Sequence, residues 1–257
     1  QVNASVDPGA DSTVDNYLNI TTQGQGAQGP STTYPVVSGD ATWEIWIFPT
    51  TATGGKNYFS KEVAFTFGVN EGIYQWAMGT GGAWANGGWV TTGIRAHLNA
   101  WTHVAWVKSG TNLKLYLNSQ LVYEANTAPT TLSQNSNPLL VGSRSQFEFF
   151  EGRLDEARIW NVARTQSQLN QFMHQRLVGN ETGLRGYWDF NEPDLTSVVY
   201  DRSSVGQDLS LVGSARRLDV KQTTRVSGGH TVVTFPRTYL PGVGGWTAPA
   251  NATNAQA

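Results

Sequence analysis

Cysteine is absent from the 257-residue chain, which excludes disulfide bonds and thiolate metal sites. Charged residues make up only 14% of the sequence, and the formal net charge is −2. Like charges form no runs, so the sequence gives no sign of a nucleic-acid groove or of binding to an anionic membrane surface. Since no apolar run approaches the roughly 20 residues that cross a bilayer, we expect no membrane insertion.

Small and polar residues take the place of the missing charges, and 28 glycines accompany abundant Thr, Ser, Asn and Gln. This composition is typical of proteins built from strands and polar loops rather than from helices. The length suits one large domain or two small ones. The chain begins at Gln1 instead of methionine, so we expect a processed or trimmed N-terminus.

Alternating hydrophobic residues predict many short strands. In residues 41–49, "ATWEIWIFP", the side chains of Trp43, Ile45 and Ile47 share one face of a strand. Residues 101–124 contain three strand patterns, and the sequence predicts a tight type I′ turn at Asn118 and Ser119. These short strands, with their Gly-rich turns, favour a two-sheet antiparallel β-sandwich over a parallel α/β fold.

One helix is predicted, near residues 165–177. Thr165 is a favourable N-cap residue, and Gln168 stands three positions later, as in a capping box. Leu169, Phe172 and Met173 then follow at helical spacing. The sequence therefore predicts an all-β jelly roll with this single short helix.

Three segments are expected along the chain: an N-terminal arm at residues 1–13, the jelly-roll domain at 14–213, and a C-terminal extension at 214–257. The two ends, residues 1–14 and 247–257, are polar, rich in small residues and without periodicity. Such ends are ordered only where something holds them. A neighbouring protein subunit is the simplest candidate, and packing of the arms on their own domain is the alternative.

The order of several motifs resembles the laminin G-like, concanavalin A-like jelly rolls of the lectin and glucanase superfamily, in the bacterial or phage branch related to pentraxins. The most specific motifs are "WTHVAWVKSGTNLKLYLN" at 101–118 and "GRLDEARIW" at 152–160, and the resemblance covers roughly residues 14–192. It implies two curved antiparallel sheets. It does not imply one activity, because this fold carries enzymes, lectins and structural modules.

Acidic residues near Trp160 raise the question of a sugar-cleaving site. The glycosidases of this fold carry a Glu-x-Asp-x-x-Glu motif or a close variant, which this sequence lacks. Glu151 and Asp155 would stand roughly 13 Å apart along a strand, whereas a retaining mechanism needs carboxyl groups about 5 Å apart. The resemblance instead implies that Asp155 and Glu156 bond local backbone and arginine groups. We therefore expect no enzyme activity.

A glycan-binding surface is the better candidate. Ten tryptophans are present, and the resemblance assigns several of them to packing. Trp84 differs because it lies in the Gly-rich "GTGGAWANGGW" of residues 79–89. Its exposed ring would stack on a sugar while Asn86 bonds hydroxyl groups, and Trp89 completes the predicted ligand-binding set. The alternative is that Trp84 packs on its own sheet or on a neighbouring subunit.

Calcium is a candidate cofactor that the resemblance implies, because related modules hold it at one rim with loop oxygens. Asp15 and Asn16, with Asp40 before the strand at 41–49, are the available ligands. An Asx turn before a strand is the alternative, and the commoner explanation of such residues.

These observations predict a non-enzymatic, surface-exposed module for adhesion or decoration. We expect it outside a cell or on a virion surface, as a subunit of a phage virion or another extracellular assembly. Its expected partners are neighbouring subunits and a cell-surface glycan. The alternatives are a free-standing carbohydrate-binding lectin, a purely structural subunit, and a glycoside hydrolase of concanavalin A-like fold.

Overall fold

A computed structural model describes residues 16–35, 37–144, 148–192, 196–219, 225–227 and 230–232. It contains one α-helix, α1 (Gln166–Phe172), and a short 3₁₀ helix (Ala85–Gly87). The strands, in chain order, are β1 (Asn16–Ile20), β2 (Gly26–Gln28), β3 (Ala41–Pro49), β4 (Gly55–Lys61), β5 (Phe65–Asn70), β6 (Ile73–Thr80), β7 (Ala83–Trp84), β8 (Val90–Arg95), β9 (Thr102–Ser109), β10 (Asn112–Leu117), β11 (Gln120–Ala125), β12 (Leu139–Val141), β13 (Ser143–Arg144), β14 (Glu148–Phe149), β15 (Gly152–Trp160), β16 (Leu184–Trp188), β17 (Val198–Val199), β18 (Leu209–Val212), β19 (Arg216–Asp219), β20 (Arg225–Ser227) and β21 (His230–Val232).

Most strands belong to two large antiparallel sheets. The first sheet runs β11-β10-β9-β3-β15-β1-β19, and β16 also pairs with β15. The second sheet runs β17-β18-β2-β12-β4-β5-β6-β7, and β8 also pairs with β6. Two small ribbons, β13-β14 and β20-β21, are separate from these sheets in their strand pairing. The prediction of an all-β sandwich of two antiparallel sheets with one short helix is therefore confirmed.

The main core lies between the two sheets and is rich in aromatic rings. Trp43 of β3 packs against Phe65 and Phe67 of β5, with ring centroids 5.0 Å away in each case. Phe67 also stacks on Trp106 of β9 at 5.3 Å. These rings alternate along their strands with residues of the opposite faces, which is the pattern that the sequence predicted for β3.

The hairpin between β10 and β11 has the predicted turn. Asn118 and Ser119 both adopt left-handed backbone conformations, with φ values of 48° and 64°. A type I′ turn requires this conformation at both central positions. Asn118 Oδ1 also accepts the backbone N–H of His103 at 2.9 Å, which ties the turn to β9.

Helix α1 begins as predicted and ends earlier. The Thr165 side chain accepts the N–H of Gln168, whose side chain accepts the N–H of Thr165 in return, so the capping box is confirmed. The helix ends at Phe172 rather than near residue 177. Arg158 of β15 donates to the Phe172 carbonyl at 3.0 Å, and Trp46 of β3 donates to the Met173 carbonyl at 2.8 Å. Side chains of the first sheet thus satisfy the carbonyls at this end.

The first sheet continues past residue 213 into the predicted C-terminal extension. Strand β19 pairs antiparallel with β1, with Leu18 opposite Arg217. The arm at residues 1–13 lies outside the described residues, and so does most of the segment after Asp219. That these segments are assembly arms stays a prediction. In the part of the chain that the structure describes, no helix has the length and hydrophobicity to cross a membrane.

Candidate functional site

Trp84 and Trp89 lie in the connection between β6 and β8. Gly81 and Gly82 both have positive φ values, 58° and 85°, and so turn the chain back. Strand β7 then pairs with the end of β6, with Trp84 opposite Gly79. Both indole side chains are half-buried. The glycines therefore create the turn, and the β7 pairing fixes where Trp84 lies.

Arg144 of β13 links the two indoles. Its guanidinium carbon lies 5.6 Å from the ring centroid of Trp84 and 5.3 Å from that of Trp89. Both distances are within the range of cation–π attraction. The sequence predicted the two tryptophans and missed this arginine. We call Trp84, Trp89 and Arg144 the indole surface.

Two glutamates hold Arg144 in place. Its Nε and Nη2 donate to the two carboxylate oxygens of Glu62, at 3.0 and 3.1 Å. Its Nη1 donates to Oε2 of Glu148 at 3.0 Å. Burial alone would lower the pKa of Arg144, but the hydrogen bonds and charges of Glu62 and Glu148 outweigh burial and raise it. The guanidinium is therefore always charged, and its orientation is fixed by three charge-assisted hydrogen bonds.

A polar network connects Arg144 and its two glutamates to the outer face of the second sheet. Phe65 and Phe67 point into the core, so Thr66 between them faces outward. The Thr66 hydroxyl donates to Oδ1 of Asn57 at 3.2 Å, and Nδ2 of Asn57 donates to Glu148 at 3.1 Å. Glu148, and with it Arg144, is thus bonded to side chains of the second sheet.

Asn86, the third predicted ligand-binding residue, supports the loop. It lies in the 3₁₀ helix with a φ of 54° and is exposed. Its Nδ2 donates to the carbonyl of Thr127 at 2.7 Å. One amide donor is therefore committed to the protein. The structure brings Trp84 and Trp89 together on Arg144, and it places Asn86 beside them in the loop as a tether to residue 127. That these three residues bind a ligand stays a prediction.

Two of the predicted calcium ligands, Asn16 and Asp40, do not come together. Asp40 accepts the N–H of Gly110 at 2.7 Å and the hydroxyl of Ser109 at 3.1 Å, so both of its oxygens bond the β9-β10 hairpin. Asn16 lies buried at the start of β1, and its side chain donates to the Glu192 carbonyl at 3.0 Å. Asp15 lies outside the described residues.

Strand register also separates these residues. Strands β1 and β3 flank β15, and their register with it separates Asn16 from the Asp40 end of β3 by roughly 16 Å along the strand direction. Within the described ranges, no three His, Asp or Glu side chains are grouped to hold a metal ion. The placed residues therefore do not fit a shared calcium site, and calcium binding stays a prediction that depends on Asp15.

The acids near Trp160 bond groups on β15 and the neighbouring β16. Asp155 Oδ1 accepts the N–H of Glu156 at 2.8 Å, where β15 has a bulge and Glu156 has a φ of 53°. Oε2 of Glu156 accepts from Arg158 at 2.5 Å and from the Tyr187 hydroxyl at 2.9 Å. The expectation that these carboxylates bond local backbone and arginine groups is confirmed.

Glu44 of β3 is a further buried acid, which the sequence reasoning missed. Its Oε1 accepts the Trp160 indole N–H at 2.7 Å, and its Oε2 lies 3.3 Å from Nε2 of His103. Arg158 and Arg164 each approach it to 3.9 Å. Burial would raise the pKa of Glu44, but His103 and the two arginine charges outweigh it and lower the pKa to about 2. Buried in this way, Glu44 cannot reach a polymeric substrate.

A shallow depression of about 290 Å³ lies at the other end of the second sheet. No aromatic side chain lines it, and it therefore offers no ring for stacking. Its lining residues are Gln28, Gly29, Pro30, Asp208, Ser210 and Val212.

Comparison with protein families gives one match over more than half of the chain. The model of the Laminin_G_3 family, described as the concanavalin A-like lectin/glucanases superfamily, matches residues 20–170. The matched range contains both indoles of the indole surface, Arg144 and the buried Glu44. No curated protein sequence matches the chain.

Solved structures share this architecture. A Bacteroides ovatus protein proposed to bind carbohydrate superposes with a TM-score of 0.65 at 17% identity, over 80% of this chain and 60% of its own. A heptameric SAP-like pentraxin from Limulus polyphemus gives a TM-score of 0.46 at 14% identity, over 63% and 82%. Domain 4 of the Geobacillus stearothermophilus arabinanase AbnA, solved with arabinotriose, gives 0.46 at 20%, over 57% and 71%. The chain thus matches about three fifths of the Bacteroides protein's length.

Proposed function

The chain belongs to the concanavalin A-like lectin/glucanases superfamily, and on this premise we propose that it is a non-enzymatic module that binds glycans through the indole surface. One observation carries the proposal: two half-buried indoles are held against a guanidinium that two glutamates fix in place. The resemblance in fold to a Bacteroides protein proposed to bind carbohydrate supports it.

The chemistry of the indole surface suits sugar rings. The faces of Trp84 and Trp89 can stack on the C–H faces of pyranose rings, while polar groups beside them bond hydroxyl groups. Both indoles are positioned by Arg144, which is itself ion-paired, so little side-chain freedom is lost when a ligand binds. A preorganised surface of this kind binds without rearrangement.

Glu62 and Glu148 require separate consideration, because two carboxylates near an aromatic surface could also hydrolyse a glycosidic bond. A glycosidase needs one carboxyl group that keeps a proton for the leaving group and a second that is free to act as nucleophile or base. Here both carboxylates accept hydrogen bonds from Arg144, which lies between them. This arrangement supports binding without catalysis.

Glycan binding is tested with the variants Trp84→Ala and Trp89→Ala on an immobilised glycan array, followed by titration of the best ligand. We expect each variant to weaken binding at least about tenfold, because stacking area on the sugar is lost. Tyr200→Ala is the matched control. Tyr200 is an aromatic residue with 46% exposure that also lies beside an arginine, and it is remote from the indole surface in sequence.

Three results would count against this proposal. Binding that survives both tryptophan substitutions would place the ligand elsewhere, for example in the depression lined by Gln28 and Asp208. An array with no bound glycan would favour a purely structural subunit. Turnover of a polysaccharide that is lost in Glu62→Gln or Glu148→Gln would make the protein a glycoside hydrolase.

We also propose that the module works outside a cell, as the adhesive or decorating subunit of a virion or another extracellular assembly. The two chain ends support this proposal, because residues 1–14 and 247–257 are polar and contain no aromatic, Leu, Ile or Met side chain for packing on their own domain. In this arrangement the ends contact neighbouring subunits and the indole surface faces the glycan. A free-standing lectin would share the indole surface and would not assemble.

A further inference from the structure

We infer that the ligand of the indole surface is a neutral oligosaccharide and that Glu62 and Glu148 exclude acidic sugars. This inference rests on the proposed glycan binding and adds the class of ligand. It starts from the donors of Arg144. An arginine has five N–H donors. Glu62 accepts hydrogen bonds from the Nε donor and from one Nη2 donor, and Glu148 accepts one from an Nη1 donor.

Recognition of an acidic sugar by arginine uses two parallel N–H bonds from one edge of the guanidinium to a carboxylate. The edge formed by Nε and Nη2 of Arg144 already makes this bidentate contact with Glu62. A sugar carboxylate would have to displace Glu62, and the displaced charge would remain beside it. Arg144 therefore supports the indoles, and three of its five N–H donors, including the pair that would bind a carboxylate side-on, are committed to Glu62 and Glu148.

The local charge also disfavours acidic sugars. Two carboxylates surround one guanidinium, so the group formed by Glu62, Glu148 and Arg144 carries a net charge of −1. The arginine side chain is 21% exposed, whereas those of Glu62 and Glu148 are 40% and 31% exposed. An incoming ligand therefore meets more negative than positive charge at the surface. A uronate or sialate would add a third negative charge to this group and be repelled.

The two indoles favour an uncharged ligand. Trp84 and Trp89 lie 5.6 and 5.3 Å from the same guanidinium carbon, so both rings belong to one site beside this charged group. Stacking needs apolar C–H faces, which neutral pyranoses present without a charge that must be desolvated. The surface thus selects by the sign of the charge as well as by ring stacking.

The test uses pairs of oligosaccharides that share a backbone and differ by one carboxylate, such as N-acetyllactosamine with and without terminal sialic acid. We expect the unmodified protein to bind the neutral member of a pair at least tenfold more tightly. We also expect the difference to shrink at high ionic strength, because salt screens repulsion between exposed charges. This comparison needs no variant.

Two substitutions then test the cause. Glu62→Gln and Glu148→Gln each remove one negative charge and keep the side chain's shape, so we expect either to reduce the preference for the neutral member at least threefold. The control is Glu124→Gln, which removes an exposed glutamate paired with Lys114 on another strand. The Glu124→Gln variant should keep the full preference for the neutral oligosaccharide. Circular dichroism confirms that each variant is folded.

The outcomes separate the two proposals. Tighter binding of the acidic member, or a preference that neither glutamine variant reduces, would overturn the inference and leave glycan binding intact. Absence of binding to every glycan on the array would overturn the proposed function, and the inference with it.

Discussion

Glu44 keeps a negative charge at a position that water does not reach, and its neighbours explain why. A lone buried carboxylate would take up a proton. Here the Trp160 indole donates one hydrogen bond, and the positive charges of Arg158 and Arg164 lie 3.9 Å away. Burial lowers the pKa of the neighbouring His103, and this effect outweighs the attraction of Glu44. The group brings together strands β3, β9 and β15 behind the main core.

This arrangement predicts acid-sensitive stability. The pKa of Glu44 is about 2 in the folded protein, and an unfolded chain restores it to about 4.3. The group therefore stabilises the fold fully above the unfolded pKa, and the stabilisation is lost as the pH falls from about 4.3 towards 2. The shift corresponds to as much as about 3 kcal/mol. His103 acts in the same direction below about pH 6.5, because the unfolded chain takes up its proton first.

Urea unfolding measured between pH 7 and pH 2.5 checks this prediction. The control is Glu44→Gln, which we expect to be less stable at pH 7 and to depend less on pH below about 4.5, because the titrating group is gone. If that variant followed the same pH dependence as the original chain, the loss of stability would have to come from other carboxylates.

The individual strands were largely predictable from sequence, because each depends on local alternation. Strand β3 and the Asn118-Ser119 turn matched expectation, and so did the N-terminus of α1 at Thr165. Strand β19 was not foreseen, since Leu218 is the only apolar residue among Arg216–Asp219. It pairs with β1 through its backbone. The buried Arg217 side chain donates hydrogen bonds to the carbonyls of Glu192 and Val198. Partners so distant in the chain produce no hydrophobic periodicity within residues 216–219 from which a strand could be predicted.

Two truncations test whether β19 is part of the folded domain. A chain that ends at Asp219 keeps the strand, and we expect it to unfold at the same urea concentration as the full chain. A chain that ends at Gly213 loses Arg217, whose Nη1 lies 3.7 Å from Oε2 of the buried Glu192. We expect this shorter chain to lose roughly 3 kcal/mol of unfolding free energy, because it loses the pairing of β19 with β1 together with one of the two arginines that pair with the buried Glu192. Equal stability of the two would move the domain boundary back to residue 213.

The indole surface could be predicted only in part, because it forms when the whole molecule folds. The Gly-rich setting of Trp84 marked one half of it in the sequence. Arg144 and Glu148 belong to one hairpin, β13-β14, whereas Glu62 follows β4 in a distant part of the sequence, and the pairing of β12 with β4 brings the hairpin beside β4. An isolated arginine in "GSR" carries no local signal of that contact. The sequence did indicate one part of the surroundings. Thr66 stands between two core phenylalanines, so it was expected to face away from the core, where it bonds Asn57 and, through it, Glu148.

At the scale of the whole molecule, the proposed assembly depends on the chain ends rather than on the sandwich. Static light scattering of the full chain should give a mass well above that of one chain, and the chain that ends at Asp219 should give the mass of a monomer. Because the truncated chain keeps β19 and the indole surface, it should still bind the glycan selected by the array. Removal of residues 1–13 alone, in a third chain, assigns the contribution of the N-terminal arm. A full chain that stays monomeric at the highest attainable concentration would refute arm-driven assembly of this chain with itself and favour the free-standing lectin.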